Sequence, residues 1–235
     1  MGDRDREQGR AGADMSGIPW DDIFRTLVDL LEAHFNAPAP AVSEAARRTR
    51  DPFRVLVSTV ISLRTKDEVT GAASRRLLAR AGTAEALVEM PADEIARLIY
   101  PAGFYNTKAA HLKEIARLLL ERHDGEVPRD MDALLRLPGV GRKTANLVRN
   151  EGYGLPGICV DTHVHRISNR IGWVATKTPA ETERALEAIL PRRYWIPVNR
   201  LLVGFGQRVC TPISPRCSTC PLDGVCMQRG VTKHR

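Results

Sequence analysis

The sequence predicts an all-α fold, and three observations carry that expectation. Apolar residues return at helical spacing through almost the whole of the 235-residue chain. Pro91 and Pro179 stand where the first turn of a helix tolerates proline. No strand–turn–strand alternation, internal repeat or long linker interrupts the pattern. With 43% hydrophobic residues the chain can bury a core without disulfide staples.

The first helix is expected over Asp21–Phe35, where Ile23, Leu27, Leu30 and Leu31 recur at helical spacing; Pro38 and Pro40 break the chain after it. Pro52–Leu63 is nearly continuous apolar sequence. Its valines alone would allow a strand, but its length favours a helix buried on most sides. Thr65, with Glu68 three positions on, reads as a capping box opening the next helix. Further helices are expected over Thr83–Glu89, Ala92–Tyr100, Asn106–Arg122, Asp130–Leu137, Arg142–Tyr153, Asp161–Ile171, Thr178–Leu190 and Tyr194–Arg208.

Lys and Arg outnumber Asp and Glu by 35 to 28, a net charge of +7. That excess suits a polyanionic partner, because neutralised phosphates release counterions; a solvated surface with extra arginines would also account for it. No apolar run approaches the length of a membrane span, so a soluble protein is expected. Met1 to Gly17 is polar, charged and glycine-rich, a tail with no secretory signal. A cytoplasmic, reducing compartment follows, in which the five cysteines read better as metal ligands than as disulfides.

Leu137-Pro138-Gly139-Val140-Gly141-Arg142-Lys143 separates two helical patterns. Proline ends the first, and the glycines permit a tight turn. The unpaired N–H groups opening the second helix, with the positive end of its dipole, make a seat for phosphate. An ordinary corner between helices is the plainer alternative. Lys143 falls in that first turn, where a cation is disfavoured and its amine is easier to discharge for attack on carbon; a simple phosphate contact is the competing role. Asp161 follows the apolar Ile158-Cys159-Val160 and can cap a helix. Facing Lys143, it would stabilise oxocarbenium charge and shuttle a proton. His163 and His165, two positions apart, point to different faces of a helix and make a poor metal pair; one is expected to bond locally and the other to be exposed.

Cys210, Cys217, Cys220 and Cys226 form a C-x6-C-x2-C-x5-C run, able to close around one centre. Structural zinc and a [4Fe–4S] cluster compete for it. Zinc sites more often pair two close knuckles, and here one exists, which favours iron–sulfur. Arg208 and Arg216 flank the ligands, and Arg229, Lys233 and Arg235 follow. Cys159 reads as a small buried apolar residue.

The glycine turn, the VDTHVHR stretch holding Asp161 and the cysteine run occur in that order. With Gly103-Phe104-Tyr105-Asn106-Thr107-Lys108 and His123-Asp124-Gly125-Glu126-Val127-Pro128, they make the sequence resemble the endonuclease III family of DNA glycosylases over nearly the whole chain from Trp20. The resemblance implies two helical domains with a DNA cleft between them. A six-helix barrel with the helix–hairpin–helix covers 45–155, and a discontinuous iron–sulfur domain covers 18–44 and 156–235. It implies a [4Fe–4S] cluster on the four C-terminal cysteines, a monomer, and double-stranded DNA with damaged bases or abasic sites as partner. An oxidised pyrimidine such as thymine glycol would be flipped into a pocket. Lys143 would attack the sugar C1′, expel the base and leave a Schiff base, and β-elimination would cut the strand on the 3′ side with help from Asp161. A related adenine glycosylase lacks this lysine. The resemblance also places Gly139, Val140, Gly141 and Arg142 on DNA. Arg64 and Phe104 fall at the wedge positions that fill the gap, where glutamine and leucine are usual. Two alternatives stand beside it: a thymine-mismatch glycosylase, and a non-catalytic DNA-binding module with a structural or redox cluster.

Overall fold

The computed structural model describes residues 17–35 and 51–235, and among them the chain is helical with no strand. The head of the sequence to residue 16, the break at Pro38 and Pro40 and the start of the expected barrel at 45 lie outside the described residues. The helices, in order, are α1 (Trp20–Phe35), α2 (Pro52–Ser62), α3 (Asp67–Arg80), α4 (Ala84–Glu89), α5 (Ala92–Ile99), α6 (Tyr105–His123), α7 (Met131–Leu135), α8 (Arg142–Tyr153), α9 (Thr162–Ile171), α10 (Pro179–Ile189) and α11 (Pro197–Arg208). None of them is long and apolar enough to cross a membrane. The chain divides into two compact units. One takes in α1 with Thr162–Arg192 and Leu201–Arg235; the other holds the described part of Ala37–Asp161 with Arg193–Arg200.

The second unit is built around α2. Pro52 occupies its first turn, and the Asp51 carboxylate accepts the N–H groups of Phe53 (2.9 Å) and Arg54 (3.3 Å). Its continuous apolar run is explained by burial on all sides from Val55 to Ile61, with α3, α6 and α8 packed against it. Gly152 lets α8 approach closely, since a Cβ there would stand 3.0 Å from Pro52 Cα.

Cations from neighbouring helices close several helix ends in this unit, where the last carbonyls lack intrahelical partners. Lys113 Nζ on α6 donates to Val88 O (2.8 Å) and Met90 O (2.9 Å) at the end of α4. Arg76 on α3 donates to Leu98 O and Tyr100 O at the end of α5. Lys108 on α6 serves the end of α2. Part of the basic excess is therefore internal.

In the first unit, Trp20 and Phe24 of α1 pack on Trp173, with ring centroids 5.0 and 6.5 Å away. Leu27, Val164, Ile167, Leu202 and Phe205 are buried around them. Both histidines of α9 are half-buried and engaged. His165 Nδ1 lies 2.6 Å from Thr182 Oγ1 and His163 Nδ1 lies 3.2 Å from Arg166, so neither is the exposed one that the spacing predicts.

Two boundary expectations fail for physical reasons. Thr65 opens no capping box: α3 starts at Asp67 behind Lys66, with no side-chain cap, and Thr65 Oγ1 is taken by Gly103 N–H and Lys108. The last helix does not begin at Tyr194. A 3-10 turn covers Arg192–Tyr194 and α11 starts at Pro197, because a residue before proline is pushed out of the helical region.

Candidate active site

The turn before α8 is held from below. Val140 is buried, and its N–H donates to Leu137 O at 3.2 Å. Gly139 has φ +73°, and a Cβ on it would meet His111 Nδ1 at 2.7 Å. Gly139→Ala should therefore cost about 1–3 kcal/mol through the left-handed backbone and the collision, read as a lowered Tm. Gly141 caps α8 in an extended conformation without a side-chain hydrogen bond, and a Cβ there would meet nothing within 4 Å. The first-turn N–H groups of α8 and its exposed Arg142 thus form an open, electropositive rim.

Lys143 sits on that first turn, and its Nζ lies 3.8 Å from Asp161 Oδ2. The lysine side chain is 49% exposed and the aspartate 12%. Asp161 reaches this place because the segment before it is laid along α8. Asn146 Nδ2 donates to Ile158 O (3.1 Å) and Asn150 Nδ2 to Gly157 O (2.9 Å). Gly157 is required there, since a Cβ would fall 2.5 Å from Asn146 Oδ1. Cys159, fully buried, points its thiol at Lys143 O (3.5 Å), while Asn199 Nδ2 donates to Cys159 O (2.8 Å). The structure thus brings amine and carboxylate together across a segment stitched by Asn146, Asn150 and Asn199. Sequence reasoning missed these three; asparagines on helices carry no distinguishing signal before their partners are known.

Arg64 and Phe104 also come together. Both adopt left-handed backbone angles, φ 52° and 57°, and the Arg64 guanidinium lies 5.6 Å from the centre of the Phe104 ring. Phe104 is 63% exposed, so it is not a core residue. An exposed aromatic under a cation is a surface on which a base can stack.

The four C-terminal cysteines line one cavity in the other unit, together with Arg170, Ile171, Phe205, Val209 and Leu222. Among the described residues no three His, Cys, Asp or Glu side chains converge closely enough to hold a single metal ion. Four thiols lining one cavity make a soft donor set able to hold a thiolate-ligated metal centre. Two N–H groups are aimed at the sulfurs: Arg170 at Cys210 Sγ (3.5 Å) and Gln228 N–H at Cys226 Sγ (3.4 Å). Such donors stabilise thiolate charge. Burial pushes the thiols of Cys217, Cys220 and Cys226 up, Cys220 to about 11, so a metal entering here must displace protons. Arg170 was missed by the sequence reading, which looked to Arg208 and Arg216. It also donates to Thr211 O and Pro212 O, both at 2.7 Å.

Residues 57–192 match the model of the HhH-GPD superfamily base excision DNA repair proteins. The chain is 49% identical over 176 residues to endonuclease III of Thermotoga maritima, an alignment covering 75% of this chain and 83% of that one. The chain belongs to the endonuclease III family.

Solved structures agree in fold. A trapped endonuclease III–DNA covalent intermediate, in its estranged-adenine complex, superposes with a TM-score of 0.75 at 33% identity, covering 88% of this chain and 94% of that one. A thermostable thymine-DNA glycosylase superposes with a TM-score of 0.73 at 27% identity, covering 87% and 94%. Plant and vertebrate endonuclease III relatives are longer: the chain spans 58% of one from Arabidopsis thaliana, at 46% identity over 89% of this chain.

Proposed function

We propose that this endonuclease III-family chain is a bifunctional DNA glycosylase and AP lyase that excises oxidised pyrimidines. The observation that carries the reading is the Lys143 amine 3.8 Å from the Asp161 carboxylate, on the helix turn that follows the glycines. The first-turn N–H groups of α8 and Arg142, on the turn shaped by Gly139, the buried Val140 and Gly141, would hold phosphate and fix the register of a duplex. Arg64 and Phe104 would fill the gap left by the flipped nucleotide. The Lys143 amine attacks C1′ and the base leaves with the bonding pair; the C1′–O4′ bond then opens as O4′ takes a proton, and the resulting Schiff base acidifies the neighbouring C2′ hydrogen. Loss of that proton breaks the C–O bond to the 3′ phosphate. Asp161 offsets positive charge at C1′ and carries protons through these steps.

The four cysteines fit a [4Fe–4S] cluster, whose thiolate ligands require a reducing compartment. When bound, it would fix the C-terminal loop. A monomer suffices for this chemistry, because the amine and the carboxylate lie on one chain. Cytoplasmic action on damaged double-stranded DNA follows from the same reading.

Borohydride trapping tests it. A covalent adduct is expected on a thymine-glycol duplex. Capture on a G·T mismatch alone would establish the second reading, a thymine-mismatch glycosylase, which the likeness to the thymine-DNA glycosylase structure favours. Cluster-loaded protein that binds DNA but yields no adduct and no base release on any lesion would refute both.

A further inference from the structure

Lys108 is 5% exposed, yet no part of the chemistry above uses it. Its Nζ donates to Ile61 O (2.7 Å), Leu63 O (2.6 Å) and Thr65 Oγ1 (2.8 Å). An ammonium carries three protons and no lone pair, so three acceptors satisfy it completely. Two of them are carbonyls at the end of α2, where the helix dipole presents its negative end. The third, Thr65 Oγ1, also accepts Gly103 N–H at 3.1 Å. Gly103 in turn lies so close to the Arg64 segment that a Cβ on it would sit 2.6 Å from Arg64 O.

One buried cation therefore joins the segment carrying Arg64 to the segment carrying Phe104. Both residues hold left-handed backbone angles, which cost about 1–3 kcal/mol each and persist only where the surroundings impose them. We infer that Lys108 is a positioning residue: through Thr65 and the carbonyls of α2 it sets Arg64 and Phe104 side by side, at the edge that fills a lesion gap, without touching DNA itself. The inference rests on the DNA-repair reading above. The buried ammonium is unfavourable in its own right, since burial pulls its pKa down to about 8. A space-filling methionine would carry no such penalty, so the charge is kept for what it holds.

Lys108→Met tests this with three measurements. In the DNA-free protein, amide exchange over residues 62–66 should quicken more than in the body of α2. Affinity for a duplex carrying a tetrahydrofuran abasic analogue should fall about tenfold, the worth of one charged hydrogen bond, while affinity for undamaged duplex changes less than about twofold. A 2-aminopurine opposite the analogue should lose the fluorescence change that reports filling of the gap. Lys113→Met, which cuts the equivalent tether at the end of α4, should lower Tm without altering lesion discrimination. If Lys108→Met does not fold, Thr65→Val removes one acceptor at nearly constant volume and should reproduce a smaller loss of discrimination. Folded Lys108→Met or Thr65→Val protein that discriminates as wild type does would overturn the inference while leaving the repair reading intact. Wild-type protein with no preference for the analogue would sink the role assigned to Arg64 and Phe104, and this inference with it.

Discussion

Lys143→Gln is expected to abolish the borohydride-trappable adduct and to slow strand cleavage by about 10⁴-fold or more, as loss of an enzymatic nucleophile does. The same substitution should change stability by less than about 1 kcal/mol, because an ion pair with a half-exposed partner contributes little in water. The two magnitudes separate the roles that the 3.8 Å contact with Asp161 allows. A lysine kept to tie Asp161 in place would show a fall in Tm and a modest fall in rate. A nucleophile would show the reverse, with DNA affinity largely kept. Asp161→Asn keeps the shape of the carboxylate and removes its charge. It should slow base release by about 10²–10⁴-fold, the usual worth of positioned proton transfer, and the double variant should be little slower than Lys143→Gln because the pair acts as a unit. Single-turnover base release and trapping, measured with Tm on the same preparations, decide it. Lys143→Gln protein that still traps would refute the assignment outright.

How legible these residues were in the sequence depended on whether the deciding interaction was local. The boundaries of α8 were readable because its start is written in the chain: a glycine turn, then an amphipathic run to Tyr153. The cysteine run was equally plain, since the spacing itself is the signal. Thr65 misled for the opposite reason. Its local context fits a capping box, but Lys108, 43 residues on, takes the hydroxyl. The start of α11 is written locally, because Pro197 carries the rule that excludes Ile196 from the helix. Left-handed backbone at Arg64 and Phe104 had no such mark, as neither is glycine or asparagine.

Cations were the hardest residues to read. In the sequence Lys108, Lys113, Arg76 and Arg170 look like the solvated charges of amphipathic helices. In the fold the first three satisfy carbonyls at the ends of other helices, while Arg170 holds carbonyls and a cysteine sulfur of the C-terminal loop. Net charge counts such residues alongside those available to phosphate. The +7 excess is therefore a poor measure of the DNA-facing surface, and Arg142 on the rim of α8 is better evidence for it than the total.

Cys220→Ala should give a protein without the broad absorbance at about 400 nm expected of thiolate-ligated iron, and with a C-terminal loop open to trypsin after Arg216. The loop has little apolar packing of its own. Between Cys210 and Cys226 its helical pieces are the 3-10 turns Cys217–Thr219 and Asp223–Val225, neither with a buried residue, and Pro215 and Leu222 are the buried positions. Burying one leucine gives about 2 kcal/mol, whereas fixing each backbone residue costs about 1–2 kcal/mol. The hydrogen bonds from Arg170, and from Met227 and Arg229 N–H to the end of α9, contribute about 1 kcal/mol each. Ligation supplies on the order of 10 kcal/mol where metal and fold form together, more than any single packing contact of the loop. Cys159→Ala is the control: its thiol faces Lys143 O in the other unit, so that variant should keep its colour and its resistance to trypsin. A Cys220→Ala loop as resistant as wild type would show that packing holds it. A colourless wild type with stoichiometric zinc would keep the metal-ordered loop but replace iron.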